Sequence, residues 1–267
     1  MSVAEATEVE PEQEPEQETA NPLKKASGES RVLLFALPVI VAVILAGFVI
    51  WRLTADLDSI EERQLAWASI GRLTLEHIYL TLVSTFFVLL VAVPLGIALT
   101  RPRFKKAAPA VVAIANIGQA APSFGLIFLL ALLLRFGFWT CVLALTIYAI
   151  LPVLQNTITG LQGVSPNLVE AGRGMGMSNG AVLRRIELRL AVPVIMVGVR
   201  TALVLLVGTA AFATFVDAGG LGALLQTGIT LFRYPILVTG ALLIALLALL
   251  VDWAGRVLEM AVRPKGL

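Results

Sequence analysis

From residue 32 to residue 51 the chain runs without a single charge, about the length a helix needs to cross the hydrocarbon of a bilayer. Comparable apolar stretches follow at 77–100, 107–134, 139–160, 190–214 and 235–253. Lipid offers no partner for backbone N–H and C=O groups, so stretches of this kind must bond internally as helices. The fold class is therefore all-α and polytopic, with six spans. Composition agrees, since 58% hydrophobic and 14% charged residues with a mean hydropathy of +0.90 exclude a water-soluble domain.

The formal net charge of +2 gives no nucleic-acid footprint. Cys141, the one cysteine, lies in an apolar run and reads as a small buried hydrophobe. Seven glutamates between Glu5 and Glu18, mixed with Pro, Gln and Thr, make residues 1–30 an expected disordered acidic tail. That tail, and the lack of a small-x-small cleavage site before Arg52, argue that residues 31–52 are a retained transmembrane helix and not a cleaved leader. Residues 53–73 mix charges with apolar residues and suit an extracytoplasmic connection. The stretch 107–134 is too long for one straight crossing, and Pro122 removes a donor and pushes Ala121 out of helical geometry, so a broken helix is expected there.

Basic residues orient the spans. Lys24, Lys25, Arg31, Arg101, Arg103, Lys105, Lys106, Arg173, Arg184, Arg185, Arg189, Arg256, Arg263 and Lys265 fall on one side, against Arg52, Arg63, Arg72, Arg135 and Arg233 on the other. Fourteen against five places both termini in the cytoplasm. With them goes the polar loop 161–190. There Ser165-Pro166 reads as a helix start, Gly174 and Gly176 as a chain reversal, and Ser178 as the cap of a second helix. Val182, Leu183, Ile186 and Leu190 recur at helical spacing while Arg184, Arg185 and Arg189 project elsewhere. The expected product is a stiff helix-turn-helix joined to spans on both sides; the competing reading is an amphipathic loop lying on the lipid surface.

Glu170, Ala171, Gly172, Gly176, Ile186 and Leu188 match the pattern Glu-Ala-Ala, three residues, Gly, nine residues, Ile-x-Leu-Pro, and so the loop resembles the ATPase-coupling loop of permease subunits of binding-protein-dependent ATP-binding-cassette importers. Two positions depart from it. Gly172 replaces the second Ala, which should loosen the first helix, and Arg189 replaces the Pro, leaving Pro193 to act as a helix boundary. The resemblance covers roughly Thr74 to the C-terminus. Glu76-His77-Ile78-Tyr79-Leu80, Val93-Pro94-Leu95-Gly96-Ile97-Ala98-Leu99-Thr100-Arg101, Ile150-Leu151-Pro152-Val153-Leu154-Gln155-Asn156-Thr157, Gly174-Met175-Gly176-Met177 and Pro264-Lys265-Gly266-Leu267 look like the subfamily for glycine betaine, choline or carnitine.

That resemblance implies a MetI-like type I permease core of five helices over 74–260, plus one extra N-terminal helix and a cytoplasmic tail at 261–267. It implies a bacterial inner-membrane location and three partners: a cytoplasmic ATPase, an extracytoplasmic substrate-binding protein and a second permease subunit. The solute would be an osmoprotectant; the alternative is another small solute, such as methionine or an anion. The chain has no Gly-x-x-x-x-Gly-Lys phosphate loop and no metal cluster, so it is read as carrying no cofactor and no catalytic residues, ATP being bound by the partner.

Uncharged polar residues within spans mark a candidate path. Asn116, Gln119 and Ser123 share a face around the Pro122 break, and Tyr148, Gln155 and Asn156 lie together on the fourth span. The competing role is helix–helix hydrogen bonding. Arg200, an ionisable residue inside a span, suggests a structural or gating role. It must snorkel to the surface or find a carbonyl or a carboxylate on another subunit. Asp217 with Gly219-Gly220-Leu221-Gly222 reads as a plain turn.

Overall fold

The computed structural model describes residues 22–262. The expected acidic tail lies outside the described residues as far as residue 21, and residues 263–267 of the C-terminal tail also lie outside them.

Helix α1 spans Pro22–Thr54. It starts nine residues before the expected boundary, at a proline whose fixed φ suits a first helical turn. A short helix α2, Ser59–Gln64, begins at a capping box in which Asp58 accepts the N–H groups of Ile60 and Glu61 while Glu61 accepts that of Asp58. The N–H of Glu61, with that of Ile60 and the guanidinium of Arg233, holds the Asp58 carboxyl below the usual carboxylate range. Arg52 at the end of α1 donates from Nε to Leu65 O at 3.0 Å, and Arg233 pairs with Asp58. Two chain connections are thereby tied at one end of the molecule.

Helix α3, Trp67–Thr100, starts ten residues before the expected span because Arg72 and Glu76, four apart, pair on one helix face at 3.0 Å and do not interrupt it. After a 3-10 turn at Lys105–Ala107 come α4, Ala108–Ala120, and α5, Ser123–Leu133. The two are bent by 95°, as Pro122 dictates: Ala121 is extended, with φ −62° and ψ 142°.

Helix α6, Phe138–Gln162, is central, with Cys141, Ala144, Leu145, Ala149, Val153 and Leu154 fully buried. Two short helices, α7 at Pro166–Gly174 and α8 at Asn179–Val182, then lead through a π-helical turn, Leu183–Glu187, into α9, Leu188–Thr209. A 3-10 helix Ala210–Val216 follows. The expected loop 217–234 contains α10, Gly222–Thr230, nine residues that are too short and glycine-bearing to read as a helix. Helix α11, Tyr234–Val262, completes the fold. Among the described residues five helices are long and apolar enough to cross a membrane, six if the bent pair counts as one.

Helices in lipid gain no hydrophobic free energy from meeting, so close packing of small residues decides where they touch. A Cβ at Gly96 of α3 would lie 2.7 Å from Thr157, one at Gly198 of α9 would lie 2.6 Å from Pro152 O, and one at Gly160 of α6 would lie 3.0 Å from Ala191 O. These three glycines set the α3–α6–α9 core. Thr81, Thr85, Thr146 and Thr157 satisfy their hydroxyls on the carbonyl four residues back, which lets them sit buried in it.

Candidate functional site

Residues 161–190 form the expected helix-turn-helix, with corrections that sharpen it. Pro166 opens α7, but the Ser165 hydroxyl makes no cap bond there. The Ser178 hydroxyl does cap α8, accepting Ala181 N–H at 3.3 Å. Gly176, at φ +82°, is the one residue of the reversal in the left-handed region; Gly174 still belongs to α7. Met177 N–H bonds Gly172 O at 3.1 Å and Gly176 N–H bonds Arg173 O at 2.9 Å. This pair is a Schellman closure, which calls for glycine at the position of Gly176.

The closure folds the second half back onto the first. Gly172 is buried, and a Cβ there would lie 2.6 Å from Ile186 Cδ1 and 3.5 Å from both Met177 and Val182. Gly172 therefore does not loosen α7: it lets α7 lie flat on Ile186. The motif spacing has a physical meaning, with Gly176 turning the chain so that Ile186 lands on Gly172. Leu188 joins the main core. Glu170 and Ala171 remain exposed, as do Leu168 and Met175 at 49% and 75%, whereas Arg184, Arg185 and Arg189 are exposed on the second segment.

Gly172→Ala is expected to move the thermal midpoint by only a few degrees, because the atom it meets is the far end of a flexible side chain and small overpacking costs about 1 kcal/mol. Gly172→Phe cannot fit, and should be read as faster trypsin cleavage after the exposed Arg173.

Pro193 is not a boundary. Helix α9 runs through both Arg189 and Pro193 without interruption. The second helix of the element is thus the beginning of a span, broken only by the π turn.

Arg200 finds its carboxylates within its own chain, not on another subunit. Its Nε lies 3.3 Å from Asp252 Oδ1 and its Nη1 3.2 Å from Glu259 Oε2, both on α11, while Arg256 holds the other oxygen of Asp252 at 2.8 Å. Gly255 makes room for its stem: a Cβ there would lie 3.0 Å from Arg200 Cγ.

The polar residues of the candidate path lie on helices packed against each other, with a Cβ at Gly118 of α4 falling 3.1 Å from Ile147 of α6. Asn116 and Gln155 are exposed, and Gln119, Ser123 and Tyr148 are half-buried. Asn156 donates to Pro152 O on its own helix at 2.8 Å, and its stem packs against Gly198 in the α6–α9 contact. Sequence reasoning missed an aromatic cluster at the Pro122 break: Phe124 lies 5.6 Å from both Phe212 and Phe215 and 5.8 Å from Phe128.

It also missed a clamp on the glycine turn. Gly220 N–H donates to Glu76 Oε2 at 3.1 Å and Leu221 N–H to His77 Nδ1 at 3.3 Å, while His77 Nε2 faces Val207 O at 2.9 Å. A Cβ at Gly219 would lie 2.7 Å from Glu76 Oε2. The turn is a seat for α3, not a plain turn. The only signal in the sequence was Glu76 next to His77 at one end and the three glycines Gly219, Gly220 and Gly222 at the other.

Residues 92–264 match the family described as binding-protein-dependent transport system inner membrane component. The chain belongs to this family. The match takes in the helix-turn-helix, the broken helix and the Arg200 cluster of this inner membrane component, while α1, α2 and most of α3 precede it. The permease is 41% identical over 192 residues to the glycine betaine/carnitine/choline transport system permease protein OpuCB of Bacillus subtilis (strain 168), covering 72% of this chain and 88% of that one. It is 37% identical over 203 residues to the osmoprotectant import permease protein OsmW of Salmonella typhimurium, covering 74% and 94%. Its fold is similar to a chain of the MetNI methionine ABC transporter in an inward-facing conformation, with TM-score 0.66 and 27% identity over 73% of this chain and 96% of that one. The all-α, MetI-like expectation holds.

Proposed function

We propose that this permease imports an osmoprotectant with a quaternary ammonium group, such as glycine betaine, choline or carnitine, as one of a pair of permease subunits. A cytoplasmic ATPase docks on residues 161–190 and an extracytoplasmic binding protein delivers the solute. Both termini and the docking element face the cytoplasm, and the outer end carries α2 and the glycine turn. The names of the relatives support the solute class; the methionine alternative has only the more distant structural likeness behind it.

The observation that carries the docking reading is the Schellman-closed element itself. It is continuous with a span and exposes Glu170 and Ala171 as well as the apolar Leu168 and Met175. A short element that exposes a carboxylate and large apolar side chains fits a protein partner better than a lipid surface. ATP binding and hydrolysis stay with the partner, and the chain itself contributes no cofactor and no catalytic group.

The solute passes by Asn116, Gln119 and Ser123 on one side and Tyr148, Gln155 and Asn156 on the other, with the Pro122 break as the gate. Moderate polarity suits release, and aromatic faces near the break attract a methylated cation without binding it tightly. Direction comes from the ATPase, whose nucleotide states bind the two permease conformations with different affinities.

Glu170→Lys tests the docking. Copurification of the ATPase and ATP-driven betaine uptake in proteoliposomes are both expected to fall by about tenfold or more, since charge reversal in an interface commonly costs a few kcal/mol. Undiminished association and uptake would remove the element from the mechanism. For the solute, the partner binding protein should bind betaine, choline or carnitine; binding of methionine alone would reassign the substrate.

A further inference from the structure

The Glu187 side chain is only 10% exposed, and both of its oxygens face one guanidinium: Arg101 Nη2 to Oε2 at 2.5 Å and Nη1 to Oε1 at 3.3 Å. A two-point fork of this kind fixes an angle as well as a distance, which a lysine cannot do. Arg101 is the residue at which α3 ends, and its Nε lies 3.4 Å from Ile97 O, so its head is held to the last turn of that helix. Glu187 closes the π turn, in which Leu188 N–H bonds Leu183 O.

The widened turn explains why the carboxylate points inward. A π turn adds a residue to one turn of helix and re-aims the side chains around it, at a cost in backbone bonding. Here it buries Glu187 towards α3 while Arg184, Arg185 and Arg189 remain exposed on the same segment. We propose that Arg101 and Glu187 form a strut that carries displacement of the coupling element into α3, as positioning residues for the transfer of work from the ATPase to the spans.

The proposal rests on the docking reading above and adds a second route to it. The element already continues covalently into α9, and α3 meets α6 through Gly96 and Thr157. Through its covalent joins alone, to α6 before it and α9 after it, a push would move those two helices. The strut adds a third point, so the same push also carries the inner end of α3. A carboxylate this enclosed stays with its cation in any state that keeps it dry, because a buried charge left alone is costly.

Charge exchange tests it in the complete complex with ATPase and binding protein. In Arg101→Glu and in Glu187→Arg the ATPase is expected to copurify at the wild-type level, while solute imported per ATP hydrolysed falls by about tenfold, the scale of a typical coupling between sites. The double exchange, Arg101→Glu with Glu187→Arg, should recover most of that loss. Arg101→Lys, which keeps the charge without the fork, should be intermediate and carries the test if the reversals reduce the folded yield. Unchanged import per ATP in Arg101→Lys and in the reversals would overturn the strut, and so would a double exchange no better than either single change. Loss of ATPase from the strut variants alone would also overturn it, since the pair would then serve docking. Failure of the unaltered permease to retain ATPase is a different result, and sinks the docking reading itself.

Discussion

Gly222→Ala is expected to abolish accumulation of folded protein. A Cβ at Gly222 would lie 1.9 Å from Ala211 O, 2.8 Å from Ala211 C and 3.3 Å from Ala211 Cα. These are backbone atoms of the 3-10 helix, so no rotamer change relieves the overlap. Helix α10 would have to lift away, and with it Leu221 and Leu224, both fully buried. Such a backbone collision belongs with the most damaging single substitutions, of about 4 kcal/mol or more, against a total stability of roughly 5–15 kcal/mol for a typical protein. The readout is the yield of monodisperse protein in detergent and its thermal midpoint. Gly47→Ala and Gly71→Ala are the controls, because a Cβ at either position meets nothing within 4 Å. Both should be neutral or gain up to about 1 kcal/mol of helix stability. A folded Gly222→Ala protein melting within a degree or two of the original would show that α10 does not rest on Ala211 as described.

Arg200→Met is the second large effect, and its sign follows from counting charges. Arg200 and Arg256 face Asp252 and Glu259, a balanced group of two cations and two anions. Removing Arg200 leaves one net negative charge between α9 and α11 and takes the 3.2 Å contact from Glu259. Methionine keeps most of the apolar stem against Gly255, so the change reads charge more than packing. The group is partly exposed, with Arg200 at 22%, and the expected loss is correspondingly about 1–3 kcal/mol, below that of a fully buried pair. Adding Glu259→Gln to Arg200→Met should return part of the stability, and a double-mutant cycle by thermal melting measures how much. Unaltered melting together with lost transport would instead place Arg200 in the path of the solute.

The spans were legible because lipid leaves a chain so few options: a charge-free stretch of the right length is a helix, and Pro122 in an over-long stretch is a bend. Gly176 was legible for the same kind of reason, since a chain reversal between helices asks for a left-handed residue. What stayed hidden depends on partners distant in sequence. Arg200 could be seen to need a carboxylate, but nothing local says that Asp252 and Glu259 supply it. Glu76 and His77 meet the glycine turn 144 residues away, and Gly172 explains itself only once Ile186 is seen lying on it. The start at Trp67 stayed hidden because Arg72 and Glu76 break the apolar run ahead of residue 77, although, four residues apart, they pair and continue the helix. The role assigned to Glu170 rests on the family pattern and on exposure, and Glu170→Lys addresses it directly.

Among its described side chains helix α1 is held at Val41, which is buried, and at one tip, where Phe48 packs edge-on to Trp67 at 6.2 Å and Arg52 reaches Leu65 O. Around these anchors Phe35, Val39, Val43 and Ile50 are between 60% and 79% exposed, and the medium they meet is acyl chain. Over most of residues 35–54 this helix is therefore constrained as oil is constrained: greasiness and reach matter, and the choice among aliphatic shapes hardly does. Shape counts at Val41, Phe48 and Arg52 and hardly at Val39, Val43 or Ile50.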